Sequence, residues 1–190
     1  MNKIFCIGSN KTGTTTLTQI LKNLGFSVCP EDIMFRHGSK HFENQKQGQY
    51  NSLFELVGQY DAFEDRPWNH TNFYQILDTK FPNSKFILTI RDQENWIQSY
   101  RRFNEKIKLN KQWFYPLISE ICYDNFDFLS DEKKMILKYH ERNQEIIEYF
   151  KNTNKLLIID FEKEKTYNRI CEFLGKEIIN SEIPHLNRTK

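Results

Sequence analysis

Ile4-Phe5-Cys6-Ile7-Gly8-Ser9-Asn10-Lys11-Thr12-Gly13-Thr14-Thr15-Thr16 reads as a short apolar strand running into a glycine-bounded, hydroxyl-rich loop. Directly after it, Leu17, Ile20, Leu21 and Leu24 recur at helical spacing, and Gly25 stands where such a helix would stop. Strand, loop and helix in that order form the unit from which parallel sheets are built. The loop lies where backbone N–H groups and a helix dipole converge, so its place in the chain makes it an anion site.

Outward from this unit the same alternation continues. Phe26-Ser27-Val28-Cys29 starts a second strand and residues 60–64 a third; residues 85–90 carry the strongest strand pattern, and residues 155–161 add another. Residues 130–150 predict a long helix, with Ser130 as N-cap and Asp131 and Glu132 in the first turn, where the dipole favours them. Residues 30–58 are polar and mixed, which predicts irregular structure that could cover a substrate. No internal repeat and no Pro/Gly/Ser-rich linker interrupts the chain. The expectation is one α/β domain over residues 1–190: three layers, a mostly parallel central sheet and a P-loop-type phosphate-binding loop.

Composition agrees with one folded unit. A chain of 190 residues buries about 70% of its unfolded surface. Its 16 Phe supply the large apolar side chains that offset chain entropy. The 27 Lys plus Arg against 25 Asp plus Glu leave a net charge of +2, so the one-sided excess of a nucleic-acid binder is missing. The basic run Lys106, Lys108 and Lys111 reads as a solvated helix face. Cys6, Cys29, Cys122 and Cys171 are far apart and form no C-x-x-C pair, which signals neither a disulfide framework nor a zinc knuckle and fits reduced thiols in the cytoplasm. The apolar run before Gly8 is too short for a signal peptide or a membrane span.

The loop departs from the nucleotide-triphosphatase pattern in one respect. G-x-x-x-x-G-K-[ST] needs Lys where Thr14 stands, although Gly8 and Gly13 are correctly spaced. The lysine is instead Lys11, inside the loop, from where it can reach the bridging oxygen of a terminal group. Lys11-Thr12-Gly13-Thr14-Thr15-Thr16-Leu17 thereby resembles the 5′-phosphosulfate loop of the sulfotransferases that use 3′-phosphoadenosine 5′-phosphosulfate (PAPS). The resemblance implies that residues 10–16 (Asn10, Lys11, Thr12, Gly13, Thr14, Thr15 and Thr16) hold the donor, with Lys11 also catalytic. Without a ligand, the same stretch would be a Ser/Thr-rich turn capping a helix.

Phe86-Ile87-Leu88-Thr89-Ile90-Arg91-Asp92 ends a buried strand with a cation, followed by Trp96, Tyr100 and Phe103 at helical spacing. Ligands of open α/β sheets bind at that strand edge, so Arg91 is well set for a phosphate. Ser99 stands eight residues on, and this spacing resembles the second sulfotransferase motif, whose Arg and Ser hold the 3′-phosphate. The blander alternative pairs Arg91 with Asp92 or Glu94. The family's C-terminal Gly-rich nucleotide motif is not visible; Arg188 and Lys190 are candidates for its work.

Transfer to a hydroxyl or amine also needs a group to take the acceptor's proton. Asp61-Ala62-Phe63-Glu64-Asp65-Arg66-Pro67-Trp68 contains Asp65-Arg66-Pro67, which resembles an Asp-x-Pro motif of small sulfotransferase-like proteins and implies Asp65 as the base. If the strand continues through residue 65, alternation puts Glu64 and Asp65 on opposite faces. The competing reading has Asp65 capping a turn before Pro67 or pairing with Arg66. His37, His41, His70, His140 and His185 are alternative bases. His37 and His41 stand at i, i+4 without a third ligand, so no metal site is expected.

The function expected from this reading is sulfuryl transfer from PAPS, without a metal, to a small-molecule or carbohydrate acceptor. Two alternatives stay open. Lys155-Leu156-Leu157-Ile158-Ile159-Asp160 resembles the strand whose Asp binds Mg²⁺ in P-loop kinases, although Thr14 in place of lysine argues against it. A non-catalytic nucleotide-binding module of the same fold is the other.

Overall fold

A computed structural model describes residues 2–30, 44, 47–70, 72–109, 132–178 and 182–184. His37, His41, Lys111, Cys122, Ser130, Asp131, His185, Arg188 and Lys190 lie outside those residues, as do the side chains of Lys106 and Lys108. Four strands, β1 (Ile4–Cys6), β2 (Ala62–Glu64), β3 (Lys85–Ile90) and β4 (Leu156–Asp160), form one sheet in the order β2-β1-β3-β4. All three pairings are parallel, with Ile4 opposite both Ala62 and Lys85, and Phe86 opposite Leu156.

Parallel strands need crossovers, and the helices that supply them cover both faces. Phe5, Ile7, Phe63, Phe86 and Leu88 point to one face, where α2 (Asn51–Val57), α3 (Phe73–Lys80) and α5 (Glu132–Phe150) deliver Leu53, Leu77, Ile146 and Phe150. Ile4, Cys6, Ala62, Ile87 and Ile159 point to the other, against Leu17, Ile20 and Leu21 of α1 (Thr14–Asn23) and Ile170 and Cys171 of α6 (Asn168–Leu174). The three-layer α/β sandwich expected from the alternating runs is thus present. The strand centres read as apolar runs because both faces of the sheet are covered.

Helix α4 (Gln93–Leu109) leaves β3 and packs on α5 through Trp96, Ile97, Tyr100, Met135 and Tyr139. The Trp96 and Tyr139 rings stack at 4.2 Å. Helix α1 ends as its sequence signals: Gly25 N–H donates to Lys22 O and Phe26 N–H to Leu21 O, the paired bonds of a Schellman motif.

Two expectations are corrected. Phe26-Ser27-Val28-Cys29 is no strand but a single bridge, Val28 to Ala62, on the outer edge of β2. Its ladder consists of Cys29 N–H to Ala62 O and Ala62 N–H to Ser27 O; Pro30 then follows, with no N–H to continue it. Residues 30–58 are not irregular throughout, because Leu53, Leu56 and Val57 bury one side of α2.

Candidate functional site

In the sheet order, β1 and β3 are the neighbours at which the chain's winding reverses, and the loops leaving them flank one crevice at the strands' C-terminal edge. Both halves of the candidate site stand there.

The β1 loop is pressed against β3. A Cβ on Gly8 would lie 1.9 Å from Thr89 Oγ1 and 2.7 Å from Thr89 O, so only glycine allows this approach. Thr12 turns its hydroxyl inward, 2.5 Å from Ser9 O and 2.6 Å from Thr89 Oγ1. Gly13 caps α1 at φ +100, with Phe161 where a Cβ would be. Thr14 and Thr16 are buried in the first turn of α1 and Thr15 is exposed. Asn10 accepts the Trp96 Nε1–H on its backbone carbonyl at 2.9 Å and the Asn69 Nδ2–H on its side-chain oxygen at 3.3 Å. Lys11 stands at φ 70, with Nζ 4.6 Å from the Phe103 ring centroid.

Arg91 joins the two loops. Its Nη1 donates to Lys11 O at 3.3 Å, while Nε and Nη2 donate to Glu162 Oε1 at 2.9 and 2.7 Å. The ion pair is therefore with Glu162, just after β4, and not with Asp92 or Glu94. Asn95 Nδ2 donates to the other Glu162 oxygen at 3.0 Å. The Arg91 backbone is clamped too, since its N–H donates to Tyr139 Oη at 2.9 Å and its carbonyl accepts from that hydroxyl at 3.1 Å. Ser99 is buried on the same side of α4 as Trp96 and Tyr100.

Asp65 reaches the loop by a route other than the one expected. Strand β2 stops at Glu64, and Asp65 turns the chain at φ 60, so strand alternation does not orient it. Its carbonyl accepts the Asn69 N–H at 3.0 Å, and its Oδ1 lies 3.4 Å from Asn69 Nδ2. Glu64, opposite Cys6 in the register, belongs to the strand itself; burial pushes the Cys6 thiol up, and the Glu64 charge adds to it. Although Asp65 keeps some exposure, the protein crowds its carboxyl. That burial raises its pKa against the lowering pull of Arg66, the Arg66 and Asn69 N–H groups, and Lys11. His140 is engaged elsewhere, with Nε2 2.6 Å from Gln93 Oε1.

Three polar residues at the site escaped the sequence reading: Asn69, Tyr139 and Arg142. Their partners lie 61, 48 and 135 residues away in the chain, and isolated polar residues leave no periodic or motif signal. The Asp160 carboxylate, the candidate Mg²⁺ ligand of the kinase alternative, accepts the Glu162 N–H at 3.1 Å and pairs with Lys163 at 3.0 Å. It thus caps the turn after β4.

Fold and site together define an α/β protein with a glycine-bounded, hydroxyl-rich loop at the switch point of a parallel sheet. A family model described as a sulfotransferase domain matches residues 3–190, and the chain belongs to that family. A curated relative, described as Ava biosynthesis cluster protein M of Aspergillus versicolor, is similar at 22% identity over 214 residues, covering 97% of this chain and 80% of that one. Among the described residues no helix is long and apolar enough to cross a membrane.

Proposed function

We propose that this chain works as one domain that transfers the sulfuryl group of PAPS to a hydroxyl or amine of a small-molecule or carbohydrate acceptor. The observation that carries the reading is the junction of Lys11 and Arg91. A lysine displaced into the loop after β1 is tied through its own carbonyl to an arginine at the end of β3, so two basic residues stand side by side at the strands' C-terminal edge.

In this reading the amides of residues 10–16 and the Thr14, Thr15 and Thr16 hydroxyls receive the 5′-phosphate at the start of α1. The 3′-phosphate falls to Arg91 and Ser99. Three of the five Arg91 N–H groups are engaged with Glu162 and Lys11 O, which leaves two for the ligand. The acceptor oxygen or nitrogen attacks sulfur as the bond from sulfur to the bridging phosphate oxygen breaks. Lys11 stabilises the charge on that departing oxygen, and the acceptor's proton passes to Asp65. A carboxyl whose burial raises its pKa is a better base than a free one. The cytoplasm is the compartment that suits Cys6 and Cys171 as reduced thiols.

Calorimetry tests the donor assignment. Adenosine 3′,5′-bisphosphate should bind more tightly than AMP, and Arg91→Ala should erase about tenfold of that preference, the effect of one charge-assisted contact. Equal affinities for the two nucleotides would sink the assignment. Transfer of labelled sulfate from PAPS to a panel of phenols, amines and sugars then separates an enzyme from a binding module, and tight binding of ATP with Mg²⁺ in place of the bisphosphate would favour the kinase alternative.

A further inference from the structure

Arg142 extends from α5, one turn beyond Tyr139, toward the end of β1. Its Nη2 donates to Ile7 O at 2.8 Å and to Asn69 O at 2.6 Å. Nη1 is buried without a hydrogen-bond partner, so the two carbonyls fix the guanidinium. Asn69 is itself buried. Its Nδ2 faces three acceptors: Gly8 O at 3.0 Å, Asn10 Oδ1 at 3.3 Å and Asp65 Oδ1 at 3.4 Å. One NH₂ group has two hydrogens, so the three share them. Two of the acceptors belong to the phosphate loop and the third is the carboxylate assigned as base.

We propose that Asn69, held by Arg142, is a positioning residue that fixes the Asp65 carboxylate relative to the phosphate loop, an inference that rests on the donor and base roles assigned above. The backbone supports it. Asp65 sits at φ 60, a conformation that surroundings must enforce in a non-glycine residue, and the Asn69 N–H is bonded to its carbonyl. Asn69 therefore grips Asp65 by both backbone and side chain while its amide holds the loop. A residue that merely packed under the loop would need the Gly8 bond alone. Arg142 anchors the arrangement to β1 through Ile7 O, so the frame is referred to the strand from which the loop springs.

The test reads the Asp65 carboxylate directly, in the full chain labelled with ¹³C at aspartate carboxyls, the signal being assigned by its loss in Asp65→Asn. Besides Asn69, the groups facing this carboxylate are Arg66 and Lys11, and both stay in every variant. Asn69→Leu removes an N–H that favours the charged form while keeping the site dry, so the Asp65 midpoint should rise. Affinity for adenosine 3′,5′-bisphosphate should fall about tenfold, as for loss of a buried hydrogen bond. Arg142→Lys should move the midpoint the same way by less, and add nothing once Asn69→Leu is present, because it acts through Asn69. An unchanged midpoint in folded Asn69→Leu, or an Arg142→Lys shift that persists in the double variant, overturns the proposal. Should near-ultraviolet circular dichroism show Asn69→Leu unfolded, Asn69→Ser decides by the same midpoint. Failure of the native chain to bind the bisphosphate sinks the donor reading alone, since the titration needs no nucleotide.

Discussion

Lys11 at φ 70 and Asp65 at φ 60 are the non-glycine residues at positive φ among those described. Such positions cost of order 1–3 kcal/mol each and persist where the surroundings enforce them, often at sites that use the geometry. For Lys11 the consequence is kinetic. If it stabilises the departing oxygen, Lys11→Ala should lose about 10²- to 10³-fold in turnover while keeping most of its affinity for the product nucleotide, and near-native turnover would make the lysine structural. For Asp65 it is both kinetic and thermodynamic. Asp65→Asn should lose on the order of 10²-fold in transfer, whereas Glu64→Gln, within the strand, should lose little. Because burial raises the folded pKa of Asp65, the native state holds that proton more tightly than the unfolded chain. The associated stability is full below the unfolded value of about 3.9 and is lost as pH rises through the folded value. Asp65→Asn should therefore melt above the native chain at pH 7, with the gap closing as pH falls toward 4. A variant that melts lower at pH 7 would show that the carboxylate is a net stabilising group.

Elements decide which of these residues meet, and here the sequence was legible to different depths. The loop after β1 could be read because Gly13 answers to a local need, a helix cap at φ +100, and local needs leave spacing in the sequence; Gly8 answers instead to the distant Thr89. Arg91 could be read because a buried strand that ends in a cation is itself a pattern. Strand alternation would have oriented Asp65 wrongly, since β2 breaks off at Glu64. Helix α5 was visible as a helix, but not as the bar that bonds the β3 end through Tyr139 and the β1 end through Arg142. Only the crossing of helix and sheet creates those contacts. The partner of Arg91 was hidden for the same reason: Glu162 comes from the turn after β4 and is bonded to Nε and Nη2. This carboxylate competes with any phosphate that Arg91 is to hold. Glu162→Gln should tighten binding of adenosine 3′,5′-bisphosphate, with a change in stability of about 1 kcal/mol or less, as for a partly exposed ion pair. Weaker binding would mean that Glu162 orients Arg91 for the ligand.

Across the whole molecule, a ligand between the β1 loop and the β3 end would tie together segments that the sheet already holds side by side. Adenosine 3′,5′-bisphosphate at a hundred times its Kd should add about 2.7 kcal/mol and raise Tm by roughly 5–10 °C for a chain of this size. AMP at the same concentration should raise it less, and an equal rise would remove the 3′-phosphate from recognition. The sheet has a further consequence, for synthesis. Every ladder joins distant stretches: β1 meets residues 62–64 and 85–87, and β3 meets residues 156–160. Among the described residues no hairpin gives a local start, so loops of tens of residues must close before any of these strands finds a neighbour. During synthesis the glycine loop after β1 has nothing to lean on until Thr89 has been made, and Arg91 waits a further 71 residues for Glu162. A nascent chain stalled before residue 156 would carry the whole loop after β1 and both sheet neighbours of that strand and still lack β4 and the carboxylate that pairs with Arg91.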